Sequence, residues 1–147
     1  GNDIHDSIGY NFKFTELQAC IGIEQMKKLP TRVERKKEIL MRYKDNLNNE
    51  INIMFFKQDL NYTTPWFIDI IAEKRDELIN YLKSNNIGSR SMYPPINKQK
   101  AYSVGGEHPI SNIIGEKGLW LPSANQLTND TIDDICNVIK RFYQNHL

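Results

Sequence analysis

The sequence predicts an α+β domain. Three observations carry that expectation. Two helical patterns open the chain, short strand-like runs with interleaved helices fill its middle, and a strongly amphipathic helix closes it. Neither an internal repeat nor a low-complexity linker interrupts this order.

Gly1 to Phe14 reads as loop. Thr15 with Gln18 has the form of a capping box, in which two side chains satisfy free N–H groups at a helix start. That helix is expected to run to about Leu29, with Leu17, Ile21, Ile23 and Met26 apolar on more than one side. Such a helix needs cover on more than one side. Pro30 then interrupts, and Thr31 with Glu34 repeats the capping pattern. The helix that follows carries Val33, Leu40, Tyr43 and Leu47 on one stripe.

"INIMFF" alternates, turning Ile51, Ile53 and Phe55 inward as a strand. "PWFIDIIA" is a second strand, with Trp66, Ile68 and Ile70 on one face. "RDELINYLKSNNIG" is a short amphipathic helix through Leu78, Ile79 and Leu82, closed near Gly88. "SRSMY" is a third strand, stopped by Pro94 and Pro95. "IIGEKGLWLPS" reads as a short helix running into an extended segment. Trp66 and Trp120 are expected as core aromatics. In "TNDTIDDICNVIKRFYQ" Thr128 is the cap, acids come early and bases late, and the stripe is Ile132, Ile135, Ile139 and Phe142. Asp133 and Asp134 are read as acids favoured by the helix start, not as an acid/base pair.

At 147 residues the chain can bury a real core, and 39% apolar with 25% charged residues is ordinary for a globular protein. A net charge of +1 gives no bulk field for nucleic acid or an anionic membrane. "RVERKKEILMRYK" mixes bases with Glu and apolar residues at helical spacing, the pattern of a solvated helix face. Cys20 and Cys136 are far apart, lack metal-ligand spacing, and read as buried reduced thiols. His5, His108 and His146 have no partner at ligand spacing and are expected at exposed loops or the terminus, so no metal site is expected. No apolar run reaches the roughly 18 residues of a membrane span, and no signal-peptide core opens the chain. The expectation is a soluble, cytoplasmic protein in a reducing compartment.

"GYNFKFTELQACIGIEQMKKL" resembles the segment G-x-N-x-R-x-x-x-x-x-A-A-x-G-x-x-Q-L of the DegT/DnrJ/EryC1/StrS family of sugar aminotransferases, with Gly9, Asn11, Ala19, Gly22 and Gln25 at matching places. "RDELINYLKSNNIGSRSMYPPINKQKAY" is similar to the family's R-D-x-L-x-x-x-L, G-I-x-x-R and Y-P-P-L-H-x-Q-x-x-Y run. "GLWLPSANQLTNDTIDDICNVI" is similar to its L-x-L-P-x-x-x-x-L-T tail. The resemblance spans essentially the whole chain in order and spacing.

The resemblance implies the small C-terminal domain of the aspartate-aminotransferase fold (fold type I of pyridoxal-phosphate enzymes), preceded by interface helices. Residues 1–48 would be interface loop and helices, and residues 49–147 the small α+β domain. It implies pyridoxal 5'-phosphate as cofactor, held mainly by a large N-terminal domain that also carries the cofactor-bonding lysine and lies outside this chain. No lysine here stands in that lysine's context, so none is assigned as catalytic, and the chain alone should not transaminate. The implied substrates are a nucleotide-linked keto-sugar and an amino donor such as glutamate, handled by a homodimer. The competing reading is a non-catalytic binding or regulatory module derived from the family.

Residue by residue, the resemblance places Asn11 at the dimer interface, donating its amide to the phosphate of the neighbour's cofactor; otherwise Asn11 shapes the loop before a helix. Lys13 stands where the family has Arg, offering a substrate a compact charge rather than a bidentate fork; otherwise it is a surface lysine. Tyr10 is read as packing. Arg90 and Tyr93 are carried over as substrate-binding residues. Strand alternation puts Ser89, Ser91 and Tyr93 on one face and Arg90 and Met92 on the other, so alternation alone does not aim both at one site. Asn97, also assigned to substrate, replaces the family's frequent His and can still hydrogen-bond a hydroxyl.

Overall fold

A computed structural model describes residues 7–10, 12–102 and 105–146. It divides into two compact units, Gly1–Arg32 and Val33–Leu147. Asn11 and His5 lie outside the described residues, as does the side chain of His146.

In the first unit, α1 (Glu16–Lys27) starts at the capping box expected from the sequence. The Gln18 N–H donates to Thr15 Oγ1 at 3.3 Å, and the Thr15 N–H donates to Gln18 Oε1 at 3.0 Å. None of its residues is buried. Leu17, Ile21, Ile23 and Met26 are all more than half exposed. Cys20 is exposed as well, contrary to the expectation of a buried thiol, because it shares this uncovered helix. The helical break falls at Lys28, and α2 (Leu29–Leu47) begins two residues before Thr31. Pro30 therefore sits in the first turn of α2, where a missing N–H costs nothing, rather than between helices.

The second unit is built on a four-stranded antiparallel sheet of order β1-β2-β4-β3, with β1 Ile53–Phe55, β2 Ile68–Ala72, β3 Arg90–Ser91 and β4 Gly118–Leu121. Alternation sends Ile68, Ile70 and Ala72 of β2, and Leu119 and Leu121 of β4, to one face. There they join Ile39, Leu40, Tyr43 and Leu47 of α2 and Leu78 and Leu82 of α3 (Arg75–Ser84). The stripe of α5 (Asn129–His146), Ile132, Ile135, Ile139 and Phe142, completes this core as expected. Each such side chain contributes roughly 1.5–3 kcal/mol when fully buried. The opposite face carries Asp69, Ile71, Gly118 and Trp120, and against it lies α4 (Pro109–Lys117).

Long-range polar contacts lock the helices. The Arg42 guanidinium grips Asp133 with two parallel bonds, and Asn46 Nδ2 donates to the same carboxylate at 3.0 Å. Asp133 thus ties α5 to α2 rather than merely favouring a helix start. Thr128 does cap α5, accepting from the Thr131 N–H at 3.1 Å. The Tyr43 hydroxyl donates to the Pro122 carbonyl at 3.1 Å and that of Tyr143 to the Glu73 carbonyl at 2.7 Å. Burial pushes both phenols well above their ordinary range. Cys136 is buried as expected, and its thiol is pushed up to about 12, chiefly by desolvation.

Five further expectations are corrected. Ile51 is 90% exposed, because β1 begins only at Ile53. Trp66 is 79% exposed and precedes β2, so it is not a core residue. Trp120 is half-buried, on the sheet face away from the core. The turn after α3 is made by Asn86 at φ +60°, with the Ile87 N–H donating back to the Leu82 carbonyl at 2.9 Å; Gly88 comes two residues too late. His108 is half-buried at the start of α4, with Nε2 buried and unpartnered among the described residues, rather than exposed.

Candidate functional site

The two units offer separate candidates. In the first, Tyr10 and Phe12 are each 87% exposed, with ring centroids 5.6 Å apart. Lys13 is exposed ahead of the cap. Phe14 folds over α1 against Gly22, and with Ala19, Ile23, Met26 and Lys27 lines an open apolar depression of about 660 Å³. This surface can take apolar cover, and Lys13 can supply a cation beside it.

In the second unit, the antiparallel register sets Asp69 opposite Trp120 and Trp120 opposite Arg90. Three side chains on one face therefore form a row across β2, β4 and β3. Trp120 stacks on Phe67 with centroids 4.4 Å apart and planes within 17°. Tyr93 meets Trp120 edge-on at 5.0 Å. The Arg90 guanidinium lies 5.1 Å from the Tyr93 ring and 5.6 Å from the Trp120 ring. Each is within the reach of a cation–π contact.

Arg90 and Tyr93 are thus brought together, which strict alternation did not foresee. The strand ends at Ser91, and the Met92 N–H makes a last bond to the Gly118 carbonyl at 3.0 Å. Beyond it Tyr93 is free of the period of two. Asn97 is half-buried in a 3-10 turn, Ile96–Lys98, and stands apart from these ring contacts. Asp69 and Trp120 are the members of the cluster that sequence reasoning missed. The signal was a lone acid inside the apolar run "FIDIIA".

A guanidinium backed by two aromatic rings keeps its N–H edges for a ligand's oxygen atoms, as phosphate or carboxylate recognition requires. The exposed Tyr93, 63% accessible, adds a ring and a hydroxyl beside it. Phe67, Ser89, Arg90 and Trp120 with Ser123 border an open depression of about 320 Å³, and the buried Ser89 hydroxyl has no partner among the described residues.

Pyridoxal phosphate, the cofactor that the family implies, needs several phosphate donors and a lysine able to bond its aldehyde. The described residues do not assemble both. Burial lowers the pKa of Lys36, yet its Nζ is committed to the carbonyls of Trp66, at 3.0 Å, and Ser123. That lysine is a clamp between α2 and two loops, and no catalytic step is assigned to it. Among the described residues no cluster has metal-binding geometry, and no helix is long and apolar enough to cross a membrane.

Comparison with known proteins bears on the family and the fold. The family model described as the DegT/DnrJ/EryC1/StrS aminotransferase family matches residues 1–140. The chain is 35% identical over 143 residues to GDP-perosamine synthase of Escherichia coli O157:H7, covering 95% of this chain and 39% of that enzyme. It is 29% identical over 147 residues to GDP-perosamine synthase of Vibrio cholerae, covering 95% and 40%. The crystal structure of a DegT DnrJ EryC1 StrS aminotransferase from Brucella abortus matches with a TM-score of 0.81 at 25% identity, over 96% of this chain and 40% of that one. DesV of S. venezuelae shares the fold with a TM-score of 0.84 at 20% identity, over 97% and 40%. This chain therefore spans 39% and 40% of the length of the two curated relatives. With the family model matched from its first residue to residue 140, the chain belongs to the DegT/DnrJ/EryC1/StrS aminotransferase family.

Proposed function

We propose that this chain is the C-terminal part of a pyridoxal-phosphate-dependent aminotransferase that passes an amino group, drawn from glutamate, to a nucleotide-linked keto-sugar. The family match over residues 1–140 carries this reading. The Arg90–Tyr93–Trp120 cluster supports it, because it presents a cation and a hydroxyl to an oxygen-rich ligand.

In this reading the cofactor, when bound, supplies the electron sink, and the chain's own residues supply position and charge. Arg90 receives a phosphate or ring oxygen of the sugar nucleotide through its N–H edge. Tyr93 covers the same ligand, and Asn97 offers an amide to a sugar hydroxyl. By the same resemblance Lys13, considered by itself in the first unit, offers a substrate a compact point charge. Asn11 donates to the cofactor phosphate of the neighbouring subunit in a homodimer, and the uncovered face of α1 meets that neighbour.

The test uses the full-length enzyme with Asn11→Ala in one copy and its cofactor-bonding lysine replaced in the other. Both homodimers should be crippled. A mixed dimer holds one pocket with an intact lysine and an intact Asn11, so mixing should restore activity toward half of wild type. Losing a hydrogen bond to a charged group costs roughly 1.5–3 kcal/mol, so the Asn11→Ala homodimer should bind cofactor about ten- to a hundredfold more weakly. Full cofactor affinity in that homodimer, or no rescue on mixing, would reduce Asn11 to a loop residue.

A further inference from the structure

Trp66 is 79% exposed, yet its backbone is held in place. Pro65 before it is buried, and the Trp66 carbonyl accepts two bonds, from Lys36 Nζ at 3.0 Å and from Ser123 Oγ at 3.4 Å. An exposed apolar side chain standing alone is ordinary. Trp66 does not stand alone. Its ring meets Phe67 edge-on at 6.2 Å, and Phe67 stacks on Trp120 at 4.4 Å. Tyr93 meets Trp120 in turn, and the Arg90 guanidinium lies against both of those rings. The four rings form one continuous row, with Trp66 at one end and Arg90 beside the other. Phe67 and Trp120 are half-buried and Tyr93 is 63% exposed, so Trp66 is the most open ring of the row. Its side chain has only two torsions and loses little freedom when a ligand settles on it. Among the described residues no carboxylate pairs with Arg90, which leaves that charge for an anion.

A nucleoside diphosphate has the matching pair of features, phosphates at one end and a flat base held away from them by a sugar. We propose that Trp66 is the stacking face for the base of the sugar nucleotide, at the opposite end of the ring row from the Arg90 that takes its phosphates. Every base has a π face, so Trp66 adds affinity without choosing among nucleotides. The proposal rests on the reading that Arg90 contacts the sugar nucleotide, and its test separates the two.

Titration calorimetry on the full-length enzyme gives Kd for GDP, dTDP and inorganic pyrophosphate, the last being phosphates without a base. In wild type at least one nucleotide should bind more tightly than pyrophosphate. Trp66→Ala should weaken that nucleotide about five- to a hundredfold, the scale of one lost base stack, and leave pyrophosphate within about twofold. Trp66→Tyr keeps a π face and should retain most of the affinity. Trp66→Leu keeps apolar cover for any protein neighbour but has no π face, so it should behave like Trp66→Ala. Arg90→Ala should weaken nucleotide and pyrophosphate alike. Nucleotides that bind no better than pyrophosphate in wild type overturn the stacking face. So does a Trp66→Ala enzyme that loses both ligands equally or neither, or a Trp66→Leu enzyme with wild-type nucleotide affinity. If Arg90→Ala changes neither ligand while Trp66→Ala loses the nucleotide alone, the Arg90 contact falls and the stacking face stands.

Discussion

The guanidinium of Arg90 lies 5.1 Å from the ring of Tyr93, three residues further along the chain and past the end of β3. Two residues that strand alternation would separate share one surface. If that surface receives the sugar nucleotide, Arg90→Ala should raise its KM roughly ten- to a hundredfold, the scale of a lost bond between charged groups. Arg90→Lys should recover only part of this, since an ammonium lacks both the fork and the planar face. Steady-state kinetics on the full-length enzyme decide it, and equal KM values for wild type and Arg90→Ala would remove Arg90 from the site.

Two carboxylates should affect stability in opposite directions. Burial raises the Asp69 carboxyl above its ordinary value of 3.8, with the Trp120 N–H opposing. Its favourable contribution is present below about pH 4 and lost as pH rises through the raised value. Asp69→Asn should therefore raise the melting temperature at pH 7 and change little at pH 3. Asp133 is the reverse: hydrogen bonding from Arg42 first, with Asn46 adding to it against desolvation, holds its carboxyl below the usual range. Its contribution is present above about pH 4 and lost as pH falls through the depressed value. Asp133→Asn should lower the melting temperature at pH 7, with the gap closing toward pH 2. Thermal melts across that range check both signs.

Gly118 opens β4 where a side chain has no room. A Cβ there would stand 2.3 Å from the Ile114 carbonyl oxygen and 2.6 Å from Met92 Sδ. Because one of those atoms is backbone, Gly118→Ala should cost about 1–3 kcal/mol. Gly88 meets nothing within 4 Å, so Gly88→Ala should stay within about 0.5 kcal/mol. Denaturant midpoints for the pair give the contrast, and equal midpoints would contradict the packing of α4 on β4.

The uncovered α1 carries Leu17 at 73% exposure and Met26 at 64%. The 147-residue chain in isolation should therefore associate at micromolar concentration and bind an apolar dye. Leu17→Glu with Met26→Lys should reduce both. A monomer that binds no dye before these changes would argue against a missing cover for this helix.

The sequence made the regular parts of the fold readable because their signals are local. The Thr15 capping box, the α5 stripe and the Thr128 cap each depend on neighbours within a few residues, and all three are present. What escaped depends on distance along the chain. Arg42 and Asp133 are 91 positions apart, so nothing local marks their pairing. Asp69 meets Trp120 only through sheet register, and a lone acid in a strand looks like an ordinary solvent-facing residue. Alternation turns Trp66 and Ile51 inward, but it holds only where a ladder exists, and both precede their strands. Arg90 and Tyr93 were readable as candidates by family resemblance, but their meeting was not.

The short turn Ile96–Lys98 and the helix α4 contain no buried residue at all. Their side chains are consequently less constrained by packing than those of β2, β4 and α5, with Gly115 as the exception that abuts Pro95. Mutations can accumulate along this rim without eroding foldability. The rim follows directly on Tyr93 and holds Asn97. A lineage could thus retune which ligand it accepts by rewriting surface positions while inheriting the same core, and a laboratory library would find most of its folded diversity there.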